Sequence, residues 1–159
     1  MQLILTPSTF DESLINSPIV FHNDETITRK LSLPSINIVY TVWNRHPDIT
    51  TFKETITQQI EGHHDRRFMV INDHKTVQIT PSPILTAWFS RYFVPILRKQ
   101  VFMRYVIRID PKAIRNYHHG SRWIYIQREN LVEGYCCRSI HDVWWFLHAI
   151  GVEEFQLTE

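Results

Sequence analysis

Apolar and polar positions along the chain change their spacing in a regular way. From Ser35 onward, Ile36, Ile38, Tyr40 and Val42 alternate with other residues and end at Trp43. A period of two in β-branched and aromatic residues predicts a strand. The spacing then lengthens. Phe52, Ile56 and Ile60 recur every four residues after Thr51-Phe52-Lys53-Glu54, which reads as a capping box opening an amphipathic helix that Gly62 ends. Phe68 to Ile71 is a short continuous apolar run, the pattern of a strand covered on both faces.

The alternation continues. Thr80-Pro81-Ser82-Pro83 is a helix-start cluster. Two stripes follow it, Ile84, Trp88, Tyr92 and Ile96 beside Leu85, Phe89, Phe93 and Leu97, with Pro95 set to kink or close the helix. Val101 to Ile109 predicts a strand, and Asp110-Pro111 opens a helix through Ile114 and Tyr117. Val132 to Cys137 predicts a last strand. Ser139-Ile140-His141-Asp142 resembles a capping box with Asp in place of Glu. Ile140, Val143, Trp144, Leu147 and Ile150 form the final stripe, stopped by Gly151. Residues 1–34 are more polar, with apolar runs only at Leu3–Leu5 and Ile19–Phe21, and predict an irregular segment or an edge strand or hairpin. The expectation is one α/β domain over 1–159, with a β-α repeating core at 35–150. Its sheet is mixed, largely parallel, of four to five strands, with helices packed on it.

The stretch Ile79-Thr80-Pro81-Ser82, then Ala87-Trp88-Phe89, then Tyr92-Phe93-Val94-Pro95 resembles the strand-end turn and following helix of the STAS-like (SpoIIAA-like) proteins of bacterial genomes. Tyr105–Ile109 and Ser139-Ile140 with Val143-Trp144-Trp145-Phe146-Leu147 resemble that family's last strand and terminal helix. The likeness covers roughly 35–150. It implies a SpoIIAA-like α/β fold and regulation through protein–protein contact. Better-known members carry D-x-S and then D-S-[ST]-G, with a phosphorylated Ser or Thr at the helix start. Here Asp73-His74-Lys75 and Thr80-Pro81-Ser82-Pro83 stand instead, so the usual kinase-switch pattern is absent.

Composition narrows the function classes. The 17 Lys and Arg against 16 Asp and Glu leave a formal charge of +1, so no overall field drives the chain onto nucleic acid. No apolar stretch approaches the ~18 residues of a membrane span. Cys136 and Cys137 are adjacent, which makes a bond between them strained, and a reducing cytoplasm is the expected location. The nine histidines include neighbours His63-His64 and His118-His119, not the i, i+4 pairs that place two ligands on one helix face; no metal and no cofactor is expected.

Candidate chemistry then reduces to a few residues. Asn72, Asp73 and His74 follow a buried strand, where ligands bind in open α/β sheets; a polar turn explains them equally. Thr80 and Ser82 sit where a helix dipole favours a phosphate, and where a plain N-cap is also expected. Trp88, Phe89, Tyr92 and Phe93 cover more of a helix than one face needs, which marks a candidate interface to a protein partner or a second copy. Two functions follow. The first is a non-enzymatic regulatory or interaction domain working through the 72–82 turn and the next helix. The second is a small-molecule binder or hydrolase with a strand-end pocket anchored by Asp73 and His74.

Overall fold

The computed structural model describes residues 3–61, 66–74, 83–93, 95, 103–110 and 133–157. A helix opens the chain. In α1 (Pro7–Asn16) Thr6 caps the first turn: Thr9 N donates to Thr6 Oγ1 at 3.2 Å, and Thr6 N donates to Thr9 Oγ1 at 2.7 Å. Pro7 occupies the position where a missing N–H costs nothing. Phe10 and Leu14, four apart, are fully buried and fasten the helix to the sheet. A hairpin follows, β1 (Ile19–His22) and β2 (Thr26–Ser32). Asn23 makes its turn, its Oδ1 accepting from Glu25 N at 3.0 Å and Thr26 N at 2.8 Å. The segment expected to be irregular or an edge strand is thus a helix plus a hairpin, and only its hairpin element was anticipated.

The remaining elements are β3 (Asn37–Trp43), α2 (Ile49–Ile60), β4 (Phe68–Asp73), α3 (Pro83–Trp88) running into π-helix at Phe89–Phe93, β5 (Met103–Ile109), β6 (Glu133–Cys137) and α4 (Ile140–Ala149). The expected alternation of strand and helix holds from β3 to β5 and again from β6 to α4. The helix expected from Asp110-Pro111 lies outside the described residues, as does Gly62. The π-helical turn lies just ahead of Pro95, whose ring cannot sit against the carbonyl four residues back.

Among the described residues, one mixed six-stranded sheet runs in the order β1-β2-β3-β4-β5-β6. The strand count exceeds the expected four to five because the N-terminal hairpin adds two. β1, β2 and β3 pair antiparallel; β3, β4, β5 and β6 pair parallel. α1 and α4 cover one face, over Ile38, Tyr40, Met69, Ile71, Ile107 and Ile109. α2 and α3 cover the other, where Phe52, Ile56, Ile60 and Leu85 pack on Val39, Trp43, Phe68 and Val70. Each such side chain contributes about 1.5–3 kcal/mol on burial.

Helix ends follow local chemistry. The N-cap of α2 lies three residues before the expected one: Asp48, not Thr51, caps the helix, accepting from Thr51 N at 2.7 Å. That hydrogen bond holds the Asp48 carboxyl below the usual carboxylate range. At α4 the expected cap is half as drawn. Ser139 Oγ accepts from Asp142 N at 3.3 Å, but the Asp142 carboxylate reaches one residue further back, to Arg138 N at 3.1 Å. Gly151, at φ +80°, ends α4; its N–H donates to His148 O and that of Val152 to Leu147 O, both at 3.1 Å.

Candidate functional site

Successive residues of β4 leave the sheet on opposite faces, which divides the expected Asn72–Asp73–His74 group. Asn72 points to the α2 side. Its Oδ1 accepts from Gln59 Nε2 at 2.5 Å and from Trp43 Nε1 at 3.1 Å. Gln59 also donates to Thr41 Oγ1 at 2.9 Å, and Thr41 bonds Thr28 at 2.8 Å. Asn72 therefore belongs to a buried polar network that ties α2 to β2, β3 and β4.

Asp73 lies on the opposite face, 0% exposed, and accepts a short hydrogen bond from the Tyr40 hydroxyl. Burial first, then the bond and charge of Asp73, push the Tyr40 hydroxyl well above its usual range. His74 returns to the α2 side. Its N–H donates to Ile109 O at 2.8 Å, and its ring stacks on Trp43 with centroids 5.9 Å apart and planes within 7°. The ring is itself buried. Asn72 and Asp73 are hydrogen-bonded through their side chains inside the fold, and the buried His74 ring is packed on Trp43.

Parallel register adds partners that the sequence reading did not single out. Asn72 sits beside Arg108, and Arg108 beside Cys136. Together with Thr41 they form a polar row across β3 to β6 on one face. Arg108 Nη2 lies 3.5 Å from Asp110 Oδ2, with little of either side chain exposed. The available signal was a charged residue at an inward position between Val106, Ile107 and Ile109. Asp110, expected as an N-cap, is also bonded through its N–H to Cys137 O at 2.9 Å.

The thiols are free, as expected. Desolvation pushes Cys137 up to about 12, helped by Asp142. Desolvation raises Cys136 as well; Arg108 opposes it and Asp110 adds to it. Both shifts suppress the nucleophilic thiolate. Among the described residues no group of three or more His, Cys, Asp or Glu is placed to hold a metal ion. None of the described helices is long and apolar enough to cross a membrane.

The described side chains of the aromatic helix after β4 differ in exposure. Leu85 is buried, while Ile84 is 62% and Tyr92 65% exposed. Trp88 is half-buried, edge-on to Phe52 at 6.4 Å, with Lys53 Nζ 5.7 Å from its ring centre. Ile49, at the start of neighbouring α2, is exposed too. Thr80, Ser82 and the side chains of Phe89 and Phe93 lie outside the described residues. On the opposite face, the first turns of α1 and α4 flank a cavity of about 530 Å³ lined by Pro7, Ser8, Asp11, Ser139, Ile140 and His141. None of the expected site residues whose side chains are described lines it.

The class defined by this architecture is an α/β protein with a mixed six-stranded sheet covered on both faces. No protein-family profile, curated protein or solved structure matches the chain.

Proposed function

We propose that the chain is a non-enzymatic, STAS-like regulatory or protein-interaction domain of the bacterial cytoplasm, able to pair with itself or with another protein. Its working surface is the helix that follows β4. The observation that carries this reading is the display of Ile84 and Tyr92 to solvent while Asp73 and His74 are buried. Large apolar groups shown together on one helix favour a partner surface.

Topology supports the same reading. Ligand crevices in open α/β sheets form where the strand order reverses. β3 to β6 run in chain order, and α2 and α3 both pack on the same face. The runner-up, a small-molecule binder or hydrolase, draws on the 530 Å³ cavity. Its proposed anchors, Asp73 and His74, do not line that cavity.

A photoreactive benzoylphenylalanine placed at Ile84 or Tyr92, with Glu12 and Glu153 as exposed controls, tests the proposal in living cells. Adducts confined to the first two positions, and lost when Ile84→Asp is added to the Tyr92 probe, are expected. Equal adducts at all four positions contradict it. Mass spectrometry of the adduct tells a second copy from a different protein.

A further inference from the structure

β1 is an edge of the sheet: among the described residues only β2 lies beside it. Its residues, Ile19-Val20-Phe21-His22, include none of the charged or proline positions with which edge strands commonly block pairing. Ile19 and Val20 are each 48% exposed, and His22 is exposed as well. The backbone shows what this edge offers. Asn23 N donates to Thr26 O and Lys30 N to Pro18 O, both at 3.0 Å. Antiparallel pairs alternate between bonded and non-bonded. Along β2 between those two bonds, Thr28 therefore falls in a bonded pair, and Ile27 and Arg29 in non-bonded ones. Their partners, His22 and Ile19, turn N–H and C=O away from β2. In a regular strand such outward groups recur every two residues. Here they are three positions apart, because Val20 is the extra residue of a β-bulge.

We propose that β1 pairs antiparallel with β1 of a second copy, joining the two sheets across a two-fold axis. Ile19 of each copy then exchanges backbone bonds with His22 of the other, so the two three-residue intervals coincide. Val20 and Phe21 face each other at the axis. A regular extended peptide meets only one of the two outward positions in register, which makes the same bulged strand the matching partner. Charge agrees with this alignment. It sets the exposed Asp24 turn of one copy against Ser17 of the other, whose carbonyl holds the Arg29 guanidinium at 2.7 Å. The contact is isologous, so each of these pairs occurs twice. It uses no residue of the helix after β4 and stands apart from the surface proposed there.

Sedimentation equilibrium and amide hydrogen exchange on the whole chain test the pairing. The wild type is expected to be dimeric by roughly 100 μM, with slow exchange at the Ile19 and His22 amides. Val20→Lys brings two like charges to the axis. Ile19→Pro deletes an outward N–H without removing a bond to β2. Each is expected to raise the dissociation constant about tenfold or more. Val20→Lys also releases the Ile19 and His22 amides, while the Lys30 amide, bonded to Pro18 O, stays protected and reports an intact hairpin. Ile84→Asp, on the other surface, is expected to leave the dimer unchanged. A wild-type monomer at that concentration, or a dimer with fast exchange at Ile19 and His22, overturns the pairing whether or not a variant folds. A dimer that both folded edge variants preserve, or that Ile84→Asp alone abolishes, overturns it as well.

Discussion

Replacing Tyr40 by Phe removes one oxygen from a buried pair and leaves the packing volume nearly unchanged. Tyr40 is 4% and Asp73 0% exposed, so water does not take the hydroxyl's place at the carboxylate. A hydrogen bond to a charged acceptor contributes about 1.5–3 kcal/mol. At about 2 kcal/mol, the melting temperature of a chain this size falls by roughly 4–8 °C. The pH dependence is the sharper part. The Tyr40 hydroxyl is raised well above its ordinary value of 10.0 in the folded state. The native state therefore holds the proton more tightly than the unfolded state. Its contribution is complete below pH 10 and declines as pH rises past it. By pH 11 about 1.4 kcal/mol of the wild-type advantage is gone. Urea unfolding of wild type and Tyr40→Phe at pH 7 and pH 11, followed by far-ultraviolet circular dichroism, measures both quantities. The difference is expected to shrink from about 2 kcal/mol to under about 1 kcal/mol. A variant as stable as wild type at pH 7, or a gap unchanged at pH 11, refutes the reasoning.

Other consequences follow from the same geometry. Gln59→Leu removes the donor shared by Thr41 and Asn72 and is expected to destabilise by about 1–3 kcal/mol in a thermal melt; an unchanged midpoint would show the network is dispensable. Gly151→Ala meets nothing within 4 Å of the added Cβ, so its loss is conformational, about 1 kcal/mol for a left-handed residue, and a neutral result would mean that the turn relaxes. Iodoacetamide at pH 7.5 is expected to modify Cys137 far more slowly than a free thiol in a peptide, with Cys136 the faster of the two; rapid labelling of Cys137 contradicts the raised thiol.

Where apolar spacing carried the information, the fold was legible. β3, β4, the Phe52-Ile56-Ile60 stripe of α2 and the inward face of α4 follow directly from side-chain period. α1 was not legible, because Phe10 and Leu14 alone anchor ten residues, although Thr6-Pro7 carried the start signal. β2 was hidden for a different reason. Its inward positions include Thr26 and Thr28, whose hydroxyls are buried against Thr55 and Thr41, so burial there does not show as hydrophobicity. At the strand ends, residue types suggested acid–base chemistry in Asp73 and His74. Their actual partners, Tyr40 and Trp43, come from an adjacent parallel strand whose register is a property of the assembled sheet. Arg108 meets Asn72 and Cys136 for the same reason.

Hydroxyl-radical footprinting of the dilute purified chain and of the same chain inside cells tests the central claim most directly. Tyr92 is expected to oxidise readily when purified and to be protected in cells, where a partner covers the helix after β4, while exposed Trp145 reacts alike in both. Equal oxidation of Tyr92 in the two settings would contradict the interaction surface and return attention to the cavity between α1 and α4.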